Sequence, residues 1–120
     1  MAYIDKFGVE YSDDKKTLVR CPKDFEGEYV IPEGTETIDC EAFFGCTGLT
    51  SIIIPNSVTS IGDEAFDGCT GLTSLTIGAR IPPTLGNDAL VFTNNCPIYV
   101  PCGTLDAYKT AWSEYASRIH

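Results

Sequence analysis

The chain has 120 residues, 43% of them apolar and 21% charged, and carries a net charge of −9. That length suffices for one domain with its own core, and the even spread of apolar and charged residues excludes wholesale disorder. An acidic surplus with no Lys/Arg cluster argues against nucleic-acid binding, and no stretch reaches the ~18 apolar residues of a membrane span, so no membrane insertion is expected.

The first residues, Met1-Ala2-Tyr3-Ile4-Asp5-Lys6-Phe7, lack the basic and apolar regions of a secretory signal. Either the protein stays in the cytoplasm or an export signal has been removed. Phe7, Val9 and Tyr11 then alternate, followed by the polar run Ser12-Asp13-Asp14-Lys15-Lys16 and by Thr17-Leu18-Val19-Arg20-Cys21. This pattern predicts a β-hairpin that closes the N-terminal end, residues 1–25.

From there the chain repeats itself. Residues 42–55 and 65–78 are identical at most positions, at an offset of 23 residues. The same offset lines up Ile31, Ile54, Ile77 and Val100 in one column and Tyr29, Ile52, Leu75 and Ile98 in another. Pro32, Pro55 and Pro101 make a third, with Gly78 in the vacant place. Apolar residues at alternate positions, such as Ile52 and Ile54, face one side of a strand, and the Pro or Gly after them ends it. One such unit cannot bury its own apolar side. Units stacked at ~4.8 Å bury one another's, so residues 26–101 are expected to form a solenoid with a parallel β-ladder of four rungs. Leu49 is expected over Leu72, Ile38 over Ile61 and Phe43 over Phe66. The third unit is degenerate: Ile81-Pro82-Pro83-Thr84-Leu85-Gly86 replaces the Val-Thr-Ser-Ile segment, and Asp88-Ala89-Leu90 stands in for Glu-Ala-Phe, shifted by one residue.

Beyond the repeats, Leu105, Tyr108, Trp112, Tyr115 and Ile119 are spaced as one face of a helix, with Thr104 at its N-cap and Asp106 in its first turn. Residues 102–120 are read as a helical lid on the last rung.

The run from Ile54 to Ser74, with Ile54-Pro55, Val58-Thr59-Ser60-Ile61-Gly62, Ala65-Phe66, Cys69 and Leu72, resembles the BspA-type leucine-rich repeat. The ending, Cys96-Pro97-Ile98-Tyr99-Val100-Pro101 followed by Leu105-Asp106-Ala107-Tyr108-Lys109 and Trp112, is similar to C-terminal caps of Bacteroidales members. The resemblance implies a leucine-rich-repeat solenoid of a bacterial cell-surface or secreted protein, adhesin-like, with a protein partner, host or extracellular, or none.

The residues themselves offer little chemistry. The single histidine, His120, is the last residue, so no Ser-His-Asp or Cys-His set assembles. Asp13-Asp14 in the hairpin turn and Asp63-Glu64 on a repeat loop read as solvated carboxylates. No enzyme, cofactor or metal is expected. Among the six cysteines, Cys46 and Cys69 share a repeat column, with Cys96 expected beside them after a local insertion, as small buried apolar groups. Cys21, Cys40 and Cys102 are placed outside that column; their spacings match no zinc motif, and one accessory disulfide is conceivable.

A binding surface, if present, falls on the outward strand positions. Val30, Ile53, Thr76 and Tyr99 form one outward row, and Glu28, Ser51, Ser74 and Pro97 a second beside it. The first row is apolar enough to meet a partner; the competing reading is that β-branched residues simply suit strands. The alternative for the whole chain is a passive spacer or array fragment without its own ligand.

Overall fold

The computed structural model describes residues 2–120. Ten short strands precede the C-terminal helices: β1 (Tyr3–Ile4), β2 (Glu10–Tyr11), β3 (Thr17–Arg20), β4 (Gly27–Val30), β5 (Thr37–Ile38), β6 (Leu49–Ile54), β7 (Ser60–Ile61), β8 (Ser74–Ile77), β9 (Thr84–Leu85) and β10 (Ile98–Tyr99). They form a β-solenoid of about four turns, closed at its C-terminal end by α1 (Leu105–Ala111) and a 3-10 helix, Ser113–Arg118.

One wall of the coil is the expected parallel ladder, in the order β10-β8-β6-β4. Its register pairs Tyr29 with Ile52, Ile52 with Leu75 and Leu75 with Ile98, so the second predicted column stacks throughout. All four side chains are buried. Full burial of an aliphatic side chain is worth about 1.5–3 kcal/mol, so these columns are the main source of cohesion. The first column holds for Ile31, Ile54 and Ile77, which are buried, while Val100 is only half-buried beyond the end of β10. Its N–H bonds instead to the His120 carbonyl at 3.0 Å.

A second ladder, which periodicity did not reveal, runs along another wall in the order β1-β2-β3-β5-β7-β9. Each rung supplies only two paired residues there, too few for a period-2 pattern to stand out. Its inward column is Leu18, Ile38, Ile61 and Leu85. The last step spans one residue more than the usual 23, which places the insertion of the degenerate unit between Ile77 and Thr84.

The third wall has no strands but is also tied rung to rung. Phe43 N–H bonds to the Ala65 carbonyl at 2.7 Å and Phe66 N–H to that of Ala89 at 2.9 Å. Glu41, Glu64 and Asp88, one per coil, all adopt left-handed φ near +57°, at +58°, +56° and +57°. Asp88-Ala89-Leu90 therefore does replace Glu64-Ala65-Phe66.

The N-terminal hairpin is present as β2 and β3, antiparallel, and a third antiparallel strand, β1, was not anticipated. Strand β3 then joins β5 in parallel, which makes the hairpin part of the second ladder. Val9 and Tyr11 are buried as their alternation predicts, but Phe7 is 52% exposed. The reason is a tight turn: Asp5 Oδ1 accepts from Phe7 and Val9 N–H, both at 2.9 Å, and Gly8 adopts φ +87°. Phe7 is thereby turned out of the strand to pack edge-on against Phe25 and Tyr29.

The C-terminal lid differs in detail. Tyr108, Trp112, Tyr115 and Ile119 are buried as the helical spacing predicts, but Leu105 is 39% exposed. Helix α1 ends at Ala111, and the chain tightens into 3-10 geometry after Trp112. Thr104 occupies the N-cap position without capping; its hydroxyl donates back to the Pro101 carbonyl at 2.6 Å. What fastens the lid is polar: Trp112 Nε1 donates to the Pro83 carbonyl at 2.9 Å, and Tyr108 Oη to that of Ala79 at 2.5 Å. Arg118, which sequence reasoning passed over, bonds Cys96 O at 2.9 Å and Thr93 Oγ1 at 2.7 Å.

Candidate partner-binding face

The ladder wall brings the predicted outward residues together. Glu28 pairs with Ser51 and Ser51 with Ser74, while Val30 pairs with Ile53, Ile53 with Thr76 and Thr76 with Tyr99. Two parallel rows thus cross the rungs, one mostly apolar and one polar. Pro97 precedes β10 and accepts the Leu75 N–H at 3.1 Å, continuing the polar row by main chain alone.

Exposure is greatest at the two ends of the apolar row. Val30 is 54% and Tyr99 45% exposed, whereas Ile53 and Thr76 are half-buried between them. In the polar row, Ser51 Oγ donates to Glu28 Oε2 and contacts Ser74 Oγ, both at 3.2 Å. The wall is rigid, because every rung is bonded to the next and the inward side chains lock it from behind. Glu28 is its only charge among these positions, on a chain of net charge −9. The strip is thus almost uncharged on an acidic molecule.

His120 belongs to this face, although its terminal position hid it from sequence reasoning. Its N–H bonds to the Ile98 carbonyl at 2.8 Å, Ile119 bridges Ile98 in parallel, and its ring lies 6.0 Å from that of Tyr99. The C-terminal residues act as a partial extra rung.

The acidic positions lie elsewhere. Asp14 Oδ1 accepts from Ser12 Oγ at 2.7 Å and from Lys16 N–H at 3.0 Å, and the Ser12 bond holds its carboxyl below the ordinary range. Asp63 Oδ1 accepts the Asn87 N–H at 2.8 Å, so it clips one coil to the next. Partial desolvation, with Glu41, Asp67 and Asp88 nearby, raises the Glu64 carboxyl. Among the described residues, no group of three or more His, Cys, Asp or Glu is placed to hold a metal ion, and no helix is long and apolar enough to cross a membrane.

The thiols depart from expectation at one position. Cys46 and Cys69 share one buried column, and Cys69 Sγ donates to the Phe43 carbonyl at 3.0 Å; Cys96, expected beside them, is buried at the place of Leu72 instead, its N–H bonding the Thr93 carbonyl as that of Leu72 bonds Cys69, while Thr93 takes the cysteine position. Cys21, placed outside by its spacing, is buried too, and its carbonyl lies 3.8 Å from Cys46 Sγ. It stands outside the Cys46–Cys69 column, at the place that Phe43 and Phe66 hold in the later coils: its N–H bonds the Ala42 carbonyl at 2.8 Å as that of Phe43 bonds Ala65. Cys40 and Cys102 are exposed.

Compared with known families, residues 25–106 match the BspA type leucine rich repeat region in six copies, which is more than half of the chain. No curated protein matches it.

Proposed function

The chain belongs to the BspA-type leucine-rich repeat family, and from that premise we propose that it is a non-enzymatic, adhesin-like binding module, displayed at a bacterial cell surface or secreted. Its partner is a protein, docked on the exposed ladder wall over Val30, Ile53, Thr76 and Tyr99, with Glu28, Ser51 and Ser74 forming the polar edge of the contact. Family membership supports a protein-interaction or surface repeat module. The observation that supports the finer reading is the mostly apolar row, exposed at both ends and set on a strand wall with one charge. Apolar and aromatic side chains on a rigid scaffold bind with little loss of conformational freedom.

The test is capture from a panel of purified extracellular proteins by the immobilised chain and its Ile53→Lys and Tyr99→Lys variants. Both side chains point outward, so the variants are expected to keep the wild-type melting curve. Capture should fall at least about tenfold, which corresponds to ~1.4 kcal/mol. Unchanged capture by folded variants contradicts the assignment of the face.

A second reading, a passive spacer, is favoured by the identical segments Gly45–Ser51 and Gly68–Ser74, a duplication that can lengthen or shorten an array freely. A wild-type chain that remains monomeric and captures nothing from the panel supports it.

A further inference from the structure

The degenerate coil breaks the repeat pattern sharply at one residue. Gly45 N–H bonds the Asp67 carbonyl at 2.9 Å, and Gly68 N–H that of Val91 at 3.3 Å. Gly45, Gly68 and Phe92 therefore hold the same place in successive coils, and all three are left-handed, with φ of +71°, +82° and +55°. Glycine takes that conformation freely, whereas a bulky side chain is strained in it. Burial does not offset the strain, because Phe92 is 75% exposed. A second unfavourable feature lies close by. Tyr115 is buried, and its hydroxyl has no hydrogen-bond partner among the described residues; the Leu90 backbone offers it a donor at most. A strained residue, an exposed ring and an unmet polar group all weaken the fold, and such features cluster at functional sites.

Phe92 and Tyr115 line one open cavity of about 610 Å³, together with Asn94, Asn95, Glu114 and Ser117, which are all exposed. Arg118 also lines it, but its guanidinium is engaged in the wall. Nε donates to Cys96 O at 2.9 Å, Nη1 to Leu90 O at 3.4 Å, and Nη2 to Thr93 Oγ1 at 2.7 Å and Cys96 Sγ at 3.3 Å. It fixes the loop in place, and its charge offsets that of Glu114. The lining thus presents an aromatic ring, two amides, a hydroxyl and a carboxylate, with formal charges that cancel. Amides and hydroxyls both donate and accept hydrogen bonds. The molecule that answers them is uncharged, with hydroxyls around its rim and an apolar C–H face to lie on the ring.

We propose that this cavity binds a neutral saccharide, whose pyranose ring stacks on Phe92 while its hydroxyls bond Asn94, Asn95, Glu114 and Ser117. A pocket with one apolar platform and a few placed polar groups is the usual form of a small-molecule site. The strained backbone at Phe92 holds the ring out toward the ligand, and Arg118 keeps the loop from collapsing when the site is empty. The cavity shares no residue with the outward row from Val30 to Tyr99. Saccharide binding is therefore separate from protein docking on the ladder wall, and either can fail without the other.

The test follows backbone amide resonances of the isotope-labelled, unaltered chain during titration with maltose, cellobiose, lactose and N,N′-diacetylchitobiose, with glucuronic acid and glucosamine as charged controls. At least one neutral disaccharide is expected to shift the amides of residues 90–95 and 114–118 saturably, with the same affinity at low and high salt. Phe92→Ala should weaken that binding at least about tenfold. Phe92→Trp should keep it, and Tyr99→Lys should leave it unchanged. Phe92→Gly restores the residue of the other coils, so it should lose binding yet melt no lower than the wild type. Absence of a saturable shift with every neutral disaccharide overturns the proposal, as do shifts confined to other residues or equal binding by Phe92→Ala. Tighter, salt-sensitive binding of a charged control overturns the neutral ligand, and a lower melting temperature for Phe92→Gly overturns the argument from strain.

Discussion

The rings of Phe43 and Phe66 lie stacked, with centroids 5.0 Å apart and planes 14° from parallel, although 23 residues separate them in sequence. Each is completely buried. Their neighbour Phe44, in the same motif, turns outward with the Lys23 ammonium over its ring, 5.6 Å from the centroid. One coil of chain thus sorts adjacent phenylalanines to opposite sides, and the next coil repeats the inward choice.

Phe66→Ala is therefore expected to cost about 3–5 kcal/mol, since it removes a stacked ring and leaves a cavity that the rigid neighbours cannot close. Phe44→Ala, at a partly exposed position, should cost less than about 1 kcal/mol. Urea denaturation of the two variants checks the contrast. Equal losses would mean that the inward column is not what holds the coils together.

At Gly62 the coils approach so closely that no side chain fits: an added Cβ would sit 2.5 Å from Cys40 N and 2.8 Å from Cys40 Cα. The equivalent Gly86 would meet Asp63 N at 2.4 Å. Gly62→Ala should force the rungs apart and cost at least about 2 kcal/mol, as overpacking does. A gain of the ~0.4–1 kcal/mol that an unstrained Gly→Ala change yields would refute the close approach.

Much of this was legible in the sequence because it is periodic. The columns through Tyr29, Ile52, Leu75 and Ile98, the Phe43–Phe66 stack and the outward row from Val30 to Tyr99 all follow from one offset and the period of a strand. What stayed hidden is non-periodic or too short to show a period. The second ladder uses pairs such as Thr37-Ile38 and Ser60-Ile61, below the length at which alternation is a signal. Cys21 takes the place of Phe43 in the first coil only because β3 docks on β5, an event that its spacing from the repeats does not record. His120 gains its place from main-chain bonds to Ile98 and Val100, which no side-chain pattern announces.

The acidic third wall carries a pH signature. The folded-state pKa of Glu64 is raised, first by partial desolvation and then by Glu41, Asp67 and Asp88. Between its unfolded and folded values the native state holds the proton more often than the unfolded chain does. This group's contribution is thus complete below the unfolded value and is lost as pH rises through the raised one. Glu64→Gln removes the charge and is expected to raise the melting temperature at pH 7, with the gain vanishing under acidic conditions where Glu64 is protonated. A gain of equal size at both pH values would show that charge is not the cause.

The most direct test of the stacked solenoid is methyl-to-methyl nuclear Overhauser contact in a sample labelled at Ile, Leu and Val. Cross-peaks are predicted between Ile54 and Ile77, Ile52 and Leu75, Leu75 and Ile98, and, on the second ladder, Ile38 and Ile61. Their absence, with these methyls in contact with other partners instead, would contradict the stacking on which the outward face depends.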